Sequence, residues 1–113
     1  MSSAELQAIE QSIKQSQKSV DLGDAYERLK ANRDFKKIVL EGYFEQEAIR
    51  LVHLKSDPNM QSADSQKSIA IQMDAIGSFK QYLQLVQIKA DMAGKAIEAD
   101  EMVRDELLAE GVL

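Results

Sequence analysis

The 113-residue chain has no cysteine and no tryptophan, one proline (Pro58) and one histidine (His53). Each shortage excludes something. Without cysteine there is neither a disulfide nor a thiolate zinc site. One Pro and five Gly argue against a fold made of many tight turns. No run of about 18 apolar residues occurs, so no membrane-spanning helix is expected. The 14 Lys and Arg are scattered and outnumbered by 19 Asp and Glu, for a net charge of -5. A nucleic-acid surface needs clustered cations to replace the counterions around phosphates, so direct nucleic-acid binding is not expected. The opening "MSSAELQAIEQSIKQ" lacks a basic n-region and a continuous apolar h-region, so no secretory signal is expected. A reducing, cytoplasmic setting is the default.

Groups for chemistry are equally sparse. His53 and Asp57 have the i, i+4 step that could share a metal on a helix. Asp57 precedes Pro58, however, and a site needs three or four ligands. Near a helix C-terminus, His53 and Lys55 simply complement the dipole. Glu41, Glu45 and Glu47 suggest a carboxylate cluster, but the Glu-x-x-His step of di-iron bundles fails, because Arg50 stands three residues before His53. Glu41 and Glu45 read better as a solvated face. The glycines stand singly, without a phosphate-cradling motif. Tyr43, Phe44, Phe79 and Tyr82 fit core or interface positions better than base-stacking ones. Met60, Met73, Met92 and Met102 are spread too widely for a Met-rich groove. The chain is therefore expected to be no enzyme and to carry no catalytic residues, cofactor or metal.

What is present is helical. The hydrophobic fraction is 44%, enough to oppose disorder, and Ala, Gln, Glu, Lys, Leu and Ile dominate. A first helix over residues 1–22 is expected, with Ser2 and Glu5 as a capping box and a narrow stripe of Leu6, Ile9, Ile13 and Val20. It is either an exposed helix or an arm that docks on a partner. Gly23 is expected to end it. A second, two-turn helix then starts at Asp24, paired with Glu27, and stops at Asn32. Asp34 caps a third helix reaching Lys55. There Leu40, Phe44, Ala48 and Leu51 share one face, Ile38, Ile49 and Val52 another, and Val39, Tyr43 and Leu54 a third sector. Only Lys37, Glu41 and Glu45 look solvent-facing. A helix apolar over most of its circumference is a central helix or an oligomer interface.

"SDPNMQSADS" is the obvious loop. The fourth helix is expected from Ala63 to Ala109. Ile76, Phe79, Leu83, Val86, Ala90, Ala93 and Ile97 recur at steps of 3 and 4, three heptads of a coiled-coil-like seam. At about 1.5 Å per residue such a helix would span roughly 70 Å, so it should break near Gly77 or Gly94, or protrude and pack against another copy. Close packing or a break is expected at Gly94. Val103 and Leu107 continue a stripe, but Asp100 occupies a seam position and weakens it. Gly111 can stop the helix.

The expected architecture is all-α and a single domain over residues 1–113. It is a helical hairpin or small bundle built on the third helix and the long C-terminal one, with two shorter N-terminal helices. Interface residues are expected at Phe44, Leu51, Leu83, Val86, Ala90, Ala93 and Ile97, with a homo-oligomer as the outcome. Heptads alone leave open whether the seam is filled within one chain or between chains.

The segment "YERLKANRDFKKIVLEGYFEQEAIRLVHL", with "QMDAIGSFKQYLQ" and the ending "EADEMVRDELLAEG", resembles small helical proteins of tailed bacteriophages. The likeness covers about residues 26–111 and carries no site residues. It implies a virion or assembly component located in the virion or the host cytoplasm, with phage proteins as partners. An acidic regulator or inhibitor of a host or DNA-packaging protein is the alternative.

Overall fold

The computed structural model describes residues 3–111, all helix and short connections, with no strand among them. The order is α1 (Ser3–Lys30), a single turn α2 (Arg33–Phe35), a π-helical stretch (Lys36–Glu47), α3 (Ala48–Ser56), a 3₁₀ turn (Pro58–Met60) and α4 (Ala63–Ala109). The expected bounds of the fourth helix are met. The all-α class, the long C-terminal helix and the shorter N-terminal helices are as the sequence indicates. Ser2, the expected first cap, lies outside the described residues.

The two helices expected before Asn32 are one, and the caps between elements differ with it. Gly23 does not end a helix; it lies buried inside α1, which runs on to Lys30. Asp24 and Glu27 are therefore interior residues and form no capping box. Asn32 is not a left-handed stop either. Its backbone is extended (φ -71°, ψ 125°), and its side-chain oxygen accepts from the Phe35 N–H at 2.9 Å. Asn32, not Asp34, caps the next helix, meeting one of the N–H groups that lack an intrahelical partner.

By its contacts the chain divides into two compact units, a central one (Glu27–Gln84) and a terminal one whose described residues are 3–26 and 85–111. In the central unit the π stretch and α3 pack against the first half of α4. Leu51, Ile69 and Ile76 are buried there, with Tyr43, Phe44, Ala48, Leu54, Met60 and Met73 around them. The connection is short and its backbone is satisfied by side chains. Asp57 is extended before Pro58 and accepts from the Asn59 N–H at 2.8 Å. The Gln61 amide donates to the carbonyls of Lys55 and Asp57. The Gln66 amide donates to those of Lys55 and Met60. Both glutamines thus converge on the Lys55 carbonyl, in the last turn of α3 where carbonyls lack intrahelical partners. Ser62 caps α4 by accepting from the Ser65 N–H at 3.1 Å.

The π stretch explains part of the third helix's apparent excess of apolar surface; Ile38, Ile49 and Val52 stay exposed. At about 100° per residue, as in an α-helix, Phe35, Val39, Leu40, Tyr43, Phe44 and Ala48 scatter over roughly 220°. At roughly 4.4 residues per turn, with bonds reaching one residue further along the chain, the same six gather within about 115°. All six are half-buried, whereas Lys36, Lys37, Ile38, Glu41, Glu45 and Gln46 are exposed. The winding follows an apolar spacing of four and five residues.

The terminal unit pairs two helical segments in opposite directions. Gly23 lies against Ala90, while Glu10, Ile13, Lys14 and Gln17 share a shallow depression with Arg104. As the α1 numbers fall, the α4 numbers rise. The inward positions of α1 are Leu6, Ile9, Ile13, Ser16, Val20 and Gly23, at steps of 3 and 4. Those of α4 are Ala90, Ala93, Ile97, Asp100, Arg104 and Leu107, at the same steps. Both lists are the a/d register of a coiled coil. The first helix is thus partnered by the chain's own α4.

Candidate interaction surface

The seam residues expected at an interface are turned inward within one chain. In the central unit Leu51 has no exposure and Leu83 is buried. Phe44 is half-buried, its ring 5.9 Å from Tyr43 and 5.5 Å, edge-on, from Phe79. In the terminal unit Val86 and Ala93 are buried, and Ala90 and Ile97 are half-buried. The seam also starts earlier than expected, at Ile69, which is 1% exposed. Each heptad of α4 is therefore occupied on its inner side by the chain itself.

Neither expectation for the glycines of α4 is met. The helix is continuous through Gly77 and Gly94, and a methyl group added at either would find nothing within 4 Å. The close approach is at Gly23 instead, where an added Cβ would overlap the Ala90 methyl.

Facing outward is a second set of apolar residues. In the central unit these are Ile38, Ile49, Val52, Ile71 and Tyr82. In the terminal unit they are Leu85, Ile88, Met92, Met102, Val103 and Leu108 on α4, with Leu22 on α1. On the terminal half of α4 they are ordered. Leu85, Lys89, Met92, Ala96, Ala99, Val103 and Glu106 are all exposed and follow one another at steps of 4 and 3. They form a second heptad stripe, about 100° around the helix from the inner seam. This stripe was readable in the sequence, but it runs one residue behind a seam that continues the register of Ile76, Phe79 and Leu83, and that register hides it.

The polar groups do not converge on a reaction centre. His53 is exposed, and no group of three or more His, Cys, Asp or Glu is placed to hold a metal among the described residues. Glu47 and Arg50 form a two-pronged ion pair, 2.6 and 2.8 Å, where the π stretch passes into α3. The guanidinium hydrogen bonds hold the Glu47 carboxyl below its ordinary value and raise Arg50. Asp100 stands among the polar residues of the seam, with Arg104 on α4 and Ser16 on α1. Its Oδ2 is shut off from solvent and has no hydrogen-bond partner among the described residues, while Arg104, one turn on, turns to Glu101 and Asp105 at 3.6 Å. At the α4 C-terminus Glu98, Asp105, Glu106 and Glu110 are exposed. No described helix is long and apolar enough to cross a membrane.

No family model matches the chain, and neither a curated protein nor a solved structure shows significant similarity to it.

Proposed function

We propose that the protein is a non-enzymatic structural or assembly accessory protein of a tailed bacteriophage, acting through helix-mediated self-association and binding of a protein partner. The observation that carries the interaction reading is the outer apolar stripe of α4, with Met92 66% exposed while the inner seam is already filled. A helix with an apolar stripe on a side its own chain leaves open is suited to a second helix. The phage setting rests on the likeness of residues 26–111 to small phage proteins, and with it the virion or host cytoplasm as location. Two measurements test the reading. Light scattering after size exclusion should give a mass above that of the 12.6 kDa chain. Mass spectrometry of purified virions should find the protein at fixed copy number. A monomer absent from virions overturns it.

The exposed acids Glu98, Asp105, Glu106 and Glu110 favour a second reading, a small acidic regulator or inhibitor of a host or DNA-packaging protein. Pull-down from infected cells separates the two, with capsid or tail proteins supporting the first and a host or packaging enzyme the second.

A further inference from the structure

The outer stripe in the terminal unit has an internal symmetry. Its central residues are Ala96 and Ala99, flanked by Met92 and Val103, and these in turn by Lys89 and Glu106. Read outward from the midpoint as far as Lys89 and Glu106, the two directions match in kind: small with small, large apolar with large apolar, cation with anion; one step further out the match ends, Leu85 answering to Glu110. Lys89 and Glu106 are the only charged residues on the stripe. A helix face of this kind is complementary to itself reversed. We propose that two copies of the chain pair antiparallel through this face, about a two-fold axis between Ala96 and Ala99. This deepens, and rests on, the self-association reading above.

Three features select a second copy in this orientation. First, the antiparallel register sets Lys89 of each copy against Glu106 of the other, giving two equivalent ion pairs, as a two-fold interface requires. A parallel pairing would instead put Lys89 on Lys89 and Glu106 on Glu106, and run the acidic segment from Glu98 to Glu110 alongside itself. Second, the small pair Ala96 and Ala99 sits on the axis, where two helices must come closest, and the long side chains lie further out. Third, the area is adequate. The stripe and its flanking Ile88 and Met102 expose on the order of 500 Å² of apolar surface, at the upper end of what monomers leave open. With the stems of Lys89, Lys95 and Glu106, each copy approaches the ~800 Å² of an ordinary stable interface.

The chain's lack of cysteine makes the orientation directly testable. In the antiparallel pair Met92 of one copy faces Val103 of the other. Met92 and its own counterpart lie about 16 Å apart along the axis, beyond the ~7 Å Cα separation a disulfide can bridge. Met92→Cys alone and Val103→Cys alone should therefore remain uncrosslinked under mild oxidation, while their mixture should crosslink. Lys89→Glu should weaken dimerisation about tenfold, and Lys89→Glu with Glu106→Lys should restore it. Both positions are exposed, so circular dichroism of each variant should match that of the parent. Crosslinking of each single-cysteine variant with itself, with no crosslink between the two different variants in the mixture, overturns the antiparallel arrangement while leaving self-association standing. A dimer that crosslinks in no combination and ignores charge reversal places the interface elsewhere. A monomer at all concentrations overturns self-association itself and leaves the stripe to a different protein.

Discussion

Two glycines of the terminal unit show how one residue type plays opposite parts. Gly23 is required by contact, since its missing side chain lets α1 and α4 approach at Ala90. Gly23→Ala should force the helices apart and cost about 1–3 kcal/mol, the usual penalty of overpacking. Gly94 has open space where a Cβ would go, so Gly94→Ala should stabilise by about 0.5–1 kcal/mol through helix propensity alone. Opposite shifts in thermal midpoint are the check; a rise with Gly23→Ala would remove the assigned close approach, and a fall with Gly94→Ala the open space at Gly94. The expected roles were reversed because Gly23 carries the local signature of a helix stop, and only its partner on α4 distinguishes a stop from a crossing. Asp100 was legible, being polar on a seam position, and its buried Oδ2 gives that oddity an energetic consequence. Asp100→Leu should raise stability by about 1–3 kcal/mol by removing an unsatisfied acceptor, read as a higher denaturant midpoint with an unchanged slope.

At the scale of elements, the two halves of the chain differ in how openly the sequence states them. The bounds of α4 follow from uninterrupted 3-and-4 spacing after a loop fixed by Pro58, and the structure reproduces them. The third helix was legible in extent but not in winding. Its apolar residues looked dispersed because they were laid on an α-helical wheel; Phe35, Val39, Leu40, Tyr43, Phe44 and Ala48 converge only when each turn takes an extra part of a residue. Glu47 and Arg50 clamp the point where that winding returns to α. With its carboxyl held below the ordinary value by Arg50, Glu47 contributes stability that is present above the unfolded carboxylate pKa and lost as pH falls through the lowered one. An NMR titration should place the Glu47 midpoint below the usual carboxylate range, and Arg50→Ala should move it back up. A midpoint unaffected by Arg50→Ala would mean that the pair does not hold in solution.

For the molecule as a whole, the decisive distinction is between apolar residues the chain uses for itself and those it leaves open, and α4 carries both. Val86 belongs to the first group, at 7% exposure, and Met92, less than two turns away, to the second, at 66%. Heptad spacing alone put Val86 among interface candidates, since the same seam serves within a chain or between chains. Only the presence of α1 against the terminal half of α4 assigns it to the interior. The same chemical change at the two sites should therefore have different consequences. Val86→Asp buries an unpaired charge and should cost several kcal/mol, lowering the thermal midpoint by about 15 °C even at the lowest protein concentration. Met92→Asp places its charge in water in the single chain and should leave the dilute midpoint within about 2 °C of the parent. What it should abolish is the rise of midpoint with concentration that mass action gives any protein whose folded form associates. Melting curves over a hundredfold range of concentration read both effects together. If Val86→Asp changes only the concentration dependence, the inner seam is an interface between chains. If Met92→Asp lowers the dilute midpoint as far as Val86→Asp does, the outer stripe is part of the fold.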